Sequence, residues 1–281
     1  MRKKCLWIVV LVFTALTIFF ASLFLNFEHP KEGESGNFFI LNGLGIAENV
    51  GLTIVYDNNP YDERLRTAWG FGCYVNVDGV KILFDTGGDP HILIDNMAKL
   101  SIDAKEIEII ILSHIHGDHV GGLFGVLDLN SQVKVYLPAS FPEDFKRRVK
   151  DSAWEVIEVK DAVKICNGVA TTGELGTTIK EQSLIVATAK GLVIVTGCAH
   201  PGVVNIVKKA KELTGMEVHL VLGGFHLGGA SENKILSIIE QFREMDVEKV
   251  APCHCSGDRA RALFKAEFGK KYVEAGVGSQ F

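Results

Sequence analysis

The feature that most constrains this chain is a dense cluster of metal-binding residue types behind an apolar strand. Ser113-His114-Ile115-His116-Gly117-Asp118-His119-Val120-Gly121-Gly122 places three histidines and an aspartate within six positions. The apolar run Glu106 to Leu112 precedes it and reads as a buried strand. Imidazole nitrogens and carboxylate oxygens in one short segment suit a hydrolytic metal centre. His114 and His116 are two apart, so on an extended or loop backbone both side chains can point the same way. Asp118 and His119 follow on the turn into the next helix and can face a second ion. Without metal, such a cluster would leave several polar groups needing partners.

Around that segment, β-branched runs alternate with helical patterns. Leu52–Tyr56, Cys73–Val77 and Lys81–Phe84 read as strands, the last two joined by an Asp78-Gly79 turn. Ile92–Leu100 reads as a helix, Val133–Leu137 as a strand, and Phe141–Val149 as a helix. Leu184–Ala187 and Leu192–Val195 form a second hairpin turning at Lys190-Gly191. Helical spacing follows over Val203–Leu213, a strand over Val218–Leu222, and a helix over Glu232–Met245. Val250–Pro252 reads as a strand end and Arg259–Phe268 as the last helix. Two β-rich halves, each with helices, predict an α+β domain: a two-sheet sandwich covered by helices on both outer faces.

The N-terminus differs in character. Residues 1–4 are a basic head, and Leu6 to Leu25 runs for 20 residues without a charge. At 1.5 Å per residue that spans about 30 Å, the thickness of a bilayer core. Residues 5–25 are therefore expected to form one uncleaved transmembrane helix, in preference to a shorter signal sequence. Residues 26–48 are expected to be a tether and 49–281 the folded domain. With the basic head inside, the domain is expected on the outer side of the cytoplasmic membrane. The five cysteines beyond the anchor are odd in number, so a complete internal disulfide framework is excluded. That usage sits uneasily with an oxidising compartment. The net charge is −5, which gives no footprint for nucleic acid.

His114-x-His116-x-Asp118-His119 resembles the signature of the metallo-β-lactamase superfamily, and other landmarks fall in the order that family shows. Phe84-Asp85-Thr86-Gly87 resembles its first motif, Thr196-Gly197-Cys198-Ala199-His200 its third, and Pro252-Cys253-His254-Cys255-Ser256-Gly257 its last. The resemblance implies an αββα sandwich over roughly Asn49 to Phe281. It implies one or two divalent ions, with zinc expected and iron or manganese as alternatives. His114, His116 and His200 would hold the first ion, and Asp118, His119 and His254 the second. Asp85 would orient the metal loop through hydrogen bonds.

One departure stands out. Many superfamily members carry a bridging aspartate after the strand corresponding to Val218–Leu222, whereas this chain continues Gly223-Gly224-Phe225-His226-Leu227. His226 is then open to two roles, ligand or hydrogen-bond donor over the substrate. The Gly197–Val203, Gly223–Leu227 and His254–Gly257 segments together resemble one branch, the dihydropterin–aryl ribotide phosphate synthases and their relatives.

Metal ions lower the pKa of a bound water toward about 7 and polarise carbonyl or phosphoryl oxygens. The primary expectation is thus a hydrolase using a metal-activated water on a small ester, phosphoester or lactone, with Asp118 and His226 as catalytic residues. The branch resemblance implies an alternative, a transferase displacing diphosphate. A non-catalytic metal-binding sensor or scaffold is the third reading. Arg64, Arg66 and Trp69, on the long segment between the first two strands, are candidates to meet an anionic aromatic substrate. Cys253 and Cys255 flank His254 and read as small buried neighbours of it.

Overall fold

The computed structural model describes Leu41 and residues 43–281. Two six-stranded sheets form the centre. The first comprises β1 (Val50–Tyr56), β2 (Gly72–Val77), β3 (Val80–Phe84), β4 (Ile109–Ile111), β5 (Lys134–Pro138) and β6 (Glu155–Val159), in that spatial order. The second comprises β7 (Val163–Cys166), β8 (Val169–Thr171), β9 (Leu184–Thr188), β10 (Gly191–Thr196), β11 (Val218–Gly224) and β12 (Lys249–Cys253), also in sequence order. Each sheet starts with antiparallel pairs and ends with parallel ones: β3 through β6 are parallel in the first, and β10 through β12 in the second. Parallel pairing needs crossover connections, which here carry the helices to the outer faces.

Helices α1 (Pro90–Lys99), α2 (Gly117–Val120), α3 (Leu123–Leu129) and α4 (Glu143–Ser152) belong to the first half. Helices α5 (Val203–Thr214), α6 (Glu232–Glu244) and α7 (Asp258–Phe268) belong to the second. Start signals are local. Asp89 accepts from the His91 and Ile92 amides with Pro90 at the first position of α1, and Ser231 caps α6. Three apolar clusters define the four layers. One, including Ile54, Val75, Phe84, Val195 and Leu222, lies between the sheets. Another packs α1 to α4 on the first sheet through Leu93, Met97, Leu123 and Val149. The third packs α5 to α7 on the second through Val207, Ile235, Phe242 and Phe264. Each fully buried aliphatic side chain contributes about 1.5–3 kcal/mol. Phe84, wholly buried and edge-on to Phe71, also leads directly into Asp85, so truncating it to alanine would cost about 3–5 kcal/mol and loosen the site.

Several expectations need adjustment. The strand expected over Glu106–Leu112 shortens to three residues, because Asp103 caps a 3₁₀ turn at Ala104–Glu106. The tether expected over residues 26–48 ends early. Leu41, Leu44 and Ala47 are buried, and their backbones bond to Leu213, Gly168 and Ala187. The basic head and the anchor expected at residues 5–25 lie outside the described residues. Among the described residues no helix is long and apolar enough to cross a membrane. The longest, α6, has 13 residues, about 20 Å at 1.5 Å each against a bilayer core of about 30 Å.

Candidate metal centre

The site lies along one edge of the sandwich, where β1, β3, β4, β10, β11 and β12 end. Asp57 and Asn58 follow β1, Asp85 follows β3, and His114 and His116 lie on the loop from β4 into α2. Cys198 and His200 follow β10, His226 follows β11, and His254 follows β12. Four of these turns are sharp enough to force the left-handed region on non-glycine residues: Asp85 (φ 57), Ala199 (φ 61), His226 (φ 54) and His254 (φ 48). Such conformations cost of order 1–3 kcal/mol each and persist where surrounding structure enforces them.

The structure brings His114, His116 and His200 together, one ligand atom of each lying within 4.8 Å of the others. Nε2 of His114 is 3.1 Å from Nδ1 of His116. Beside them, Asp118, His119 and His254 meet on the same terms and are joined by Cys198. Oδ2 of Asp118 lies 3.6 Å from Nε2 of His119 and 3.4 Å from Nε2 of His254. Gly121 and Gly122 are needed where α2 runs into α3. A Cβ on either would lie 2.3 Å from the Gly88 carbonyl or 2.2 Å from that of Thr86.

Each buried histidine is aimed by a partner on its other nitrogen or a neighbour, the arrangement that fixes tautomer and orientation in metal sites. Asp85, fully buried, accepts from the Ser113 amide at 2.7 Å and the Ser113 hydroxyl at 2.6 Å, and from Nδ1 of His119 at 2.7 Å. Burial pushes its carboxyl up to about 7. Glu181 receives the Cys198, Ala199 and His200 amides at 2.8–2.9 Å and Nδ1 of His200 at 2.8 Å. Burial alone would raise Glu181, but the hydrogen bonds from His200 and from the His200 and Ala199 amides hold it at about 2. Asn58 accepts from Nδ1 of His254 at 2.8 Å, and Asp57 accepts the His254 amide. Burial lowers His114 and His119 to about 3, which keeps their rings neutral and free to donate lone pairs. Asp118 is the exception. Burial would raise it, yet the His254 hydrogen bond and the neighbouring imidazoles hold it well below the usual range. Buried, neutral, pre-aimed imidazoles with a carboxylate and a sulfur fit a divalent transition-metal ion by donor chemistry alone.

Glu181, Asn58 and Asp57 escaped the sequence reading, because a lone acid or amide before or after a strand carries no local signal. Cys198, which lies beside the second cluster, was also not singled out, although its place two residues before His200 on a strand-end turn was a usable sign. His226 stands exposed at the lip, its ring 4.6 Å from that of His200. An open groove of about 660 Å³ begins there, lined among others by Thr177, His200, Lys208, Lys209 and His226. Of the three candidate substrate residues, Trp69 reaches the site, its ring 4.9 Å from that of His254 and 61% exposed. Arg64 is engaged instead by Asp62. Arg66 gives its backbone amide to Asn96, and its charge lies near Asp89 and Tyr56.

Residues 73–254 match the model of the metallo-beta-lactamase superfamily. The chain is 28% identical to 7,8-dihydropterin-6-methyl-4-(beta-D-ribofuranosyl)-aminobenzene-5'-phosphate synthase of Methanocaldococcus jannaschii, over 85% of this chain and 98% of that protein. A solved metal-dependent hydrolase of the beta-lactamase superfamily superposes with a TM-score of 0.70 at 28% identity, covering 83% of this chain and 98% of its own. The metallo-beta-lactamase fold protein YhfI from Bacillus subtilis shares the fold, with a TM-score of 0.62 at 13% identity over 83% of this chain and 98% of its own. These relatives are matched almost end to end by the part of the chain that holds the two sheets. The expectation of a single-pass protein of the cytoplasmic membrane gains no support from these relatives or from the described residues, among which no helix is able to span a bilayer. Superfamily model, sandwich and paired donor clusters agree, and the chain belongs to the metallo-beta-lactamase superfamily, whose members bind metal ions.

Proposed function

We propose that this enzyme is a metal-dependent hydrolase of small anionic esters, phosphoesters or lactones, working in the groove beside His200 and His226. The observation that carries the reading is the pair of adjoining donor clusters at one edge of the sandwich, with His200 of the first cluster also lining that groove. His114, His116 and His200 would hold one ion, and Asp118, His119 and His254 a second. Zinc suits these nitrogen, oxygen and sulfur donors best, with iron or manganese as alternatives. A divalent ion supplies Lewis acidity, which activates water and stabilises charge developing on a carbonyl or phosphoryl oxygen. The chain's own residues do the rest. Lys208 and Lys209 attract the anion, partly offset by Glu212 on the same wall. Asp118, 22% exposed at its side chain and ionised at neutral pH, accepts a hydrogen bond from the attacking water and orients it. His226, held above its ordinary value by its hydrogen bond with Cys255, donates to the substrate or leaving group. Trp69 offers an apolar wall over His254. A net charge of −5 argues against nucleic acid as substrate.

The similarity to the Methanocaldococcus jannaschii synthase favours a second reading, transfer with loss of diphosphate, because the same device stabilises a departing anion. A non-catalytic metal sensor is the reading from another class. One experiment separates them: metal content and turnover on the full chain, against phosphodiesters, lactones, thioesters and the pterin–aryl ribotide pair. Hydrolysis that chelation abolishes and zinc restores supports the proposal. Product from the pterin pair alone replaces it with the transferase. Bound metal with no turnover replaces it with the sensor. In His116→Ala with His200→Ala, the first ion should be lost while the fold persists; wild-type metal content there would refute the ligand assignment.

A further inference from the structure

The edge of the sandwich opposite the metal centre carries a cavity of its own. It opens between the sheets where β1, β10, β11 and β12 begin, whereas the metal donors follow the ends of those strands. Its volume is 470 Å³, within the roughly 300–1,000 Å³ of small-molecule sites. Leu52, Val193 and Leu220 form its floor and belong to the apolar cluster between the sheets. Val273 and Phe281 are half-buried at its mouth, and Ile46 is 42% exposed there. The cavity has a local cause. Leu192 of β10 pairs with Val218 of β11, but the next residue, Val193, pairs with Leu220. His219 is thus the extra residue of a β-bulge, a feature that is rare in parallel pairs, bends the strand and re-aims a side chain. That side chain lines the cavity, with Nδ1 held by Glu248 at 2.7 Å.

We propose that this cavity binds a medium-chain fatty acid, with its aliphatic chain between the sheets and its carboxylate at Lys190 and Lys249. Charge selects the head group. Lys190, on the β9–β10 turn, and Lys249, at the start of β12, both line the cavity, and neither has an ion-pair partner among the described residues. Glu248, the acid next to Lys249, is already taken by His219. Glu48 is the one acid that lines the cavity, and it also borders a separate groove beside Asp78. An ammonium head would therefore meet two cations, and a carboxylate meets two partners. The floor selects the tail. Its side chains are aliphatic and come from both sheets, so a polar ring pushed between them would bury edge groups without partners. A hydrocarbon chain has no such groups, and it fills a gap that sandwich cores, packed to crystal density elsewhere, do not normally leave. The site is separate from the metal centre and does not depend on the function proposed above.

Calorimetry on the full chain tests this, with hexanoate, octanoate, decanoate and hexadecanoate as one series and decanol and decylamine as neutral and cationic controls. Affinity should rise about fourfold for each CH2 from hexanoate to decanoate and level off in hexadecanoate, once the cavity is full. Decanoate should bind about tenfold more tightly than decylamine. Lys190→Gln with Lys249→Gln should remove that preference and leave decanol binding at the wild-type level. Val273→Trp, which plugs the mouth, should lose decanoate. Protein stripped of metal by chelation should bind decanoate as well as untreated protein does. Decanoate binding that chelation abolishes would put the carboxylate at the metal centre and overturn the proposal. Affinity that keeps climbing through hexadecanoate would mean capture by the apolar run at residues 6–25 or by aggregates, and would overturn it too. No binding of decanoate, equal binding of decylamine, or full binding in Val273→Trp would do the same. The chain-length series uses wild-type protein, so a variant that fails to fold leaves a decisive measurement in place.

Discussion

Replacing Glu181 by glutamine tests whether one buried carboxylate organises the turn that carries Cys198 and His200. The side chain is 1% exposed and accepts four hydrogen bonds, two on each oxygen. Glutamine has the same shape but one acceptor. Whichever way its amide flips, its NH2 group faces two donors, and two charge-assisted bonds are lost. At about 1.5–3 kcal/mol each, the loss is about 3–6 kcal/mol. The titration argument gives the same scale. The carboxyl sits at about 2 instead of 4.5, and at about 1.4 kcal/mol per unit that difference is about 3 kcal/mol. For a domain of this size, 1 kcal/mol shifts the melting temperature by roughly 2–4 °C, so the metal-free variant should melt roughly 6–24 °C below wild type. With His200 no longer aimed, the cluster it shares with His114 and His116 should bind zinc roughly 10–100-fold more weakly. Circular dichroism melts of chelated protein and competition with a chromophoric chelator read the two effects. A variant that melts within about 2 °C of wild type and binds zinc equally well would refute the view that Glu181 positions this turn.

Asn58→Ala removes the partner of His254 Nδ1 and should weaken the second ion by about tenfold while sparing the first, as followed by metal titration; equal loss of both ions would contradict the division into two clusters. His226→Ala should leave metal content and melting unchanged and lower kcat by about a hundredfold or more; a variant that loses metal instead makes His226 a ligand. Gly224→Ala drives a Cβ into the Gly197 carbonyl and the Cys255 sulfur and should destabilise by about 2–3 kcal/mol, visible as a lower urea midpoint at an unchanged slope. Glu181 also governs acid sensitivity. Its folded value is depressed, so its contribution is present above about pH 4.5 and is lost as pH falls toward about 2. Urea midpoints of the chelated protein should therefore drop between about pH 5 and pH 3, and less steeply in Glu181→Gln; parallel profiles would count against it.

What the sequence disclosed depended on how locally each feature is encoded. The His114–His119 segment could be read because its donors are consecutive and its strand, turn and helix are local. Long periodic stretches such as α5 and α6 were equally plain. The edge strand β6, Glu155-Val156-Ile157-Glu158-Val159, has little burial and no clean alternation. Strands β7 and β8 have four and three residues, too few to establish a period, and α3 contains Gly125 within only seven residues. The partners of the histidines are tertiary facts. Asn58 and His254 are 196 positions apart, and no window connects them.

The strained turns tie these threads together. Of the seven non-glycine residues with positive φ among the described residues, Asp85, Ala199, His226 and His254 line the metal centre. Each lies just past the end of a strand whose register is fixed by buried apolar residues, so the strand cannot slide to relieve the turn. The strain is held by bonds already described: Asp85 by Ser113 and His119, Ala199 by Glu181, and His254 by Asp57 and Asn58. His226 is the exception. Its neighbour Phe225 is anchored through the Ser256 hydroxyl, but its own ring faces the groove at the lip. A donor that must meet different states of a substrate gains from that freedom, whereas the donors that must stay fixed before an ion arrives are the ones held from behind.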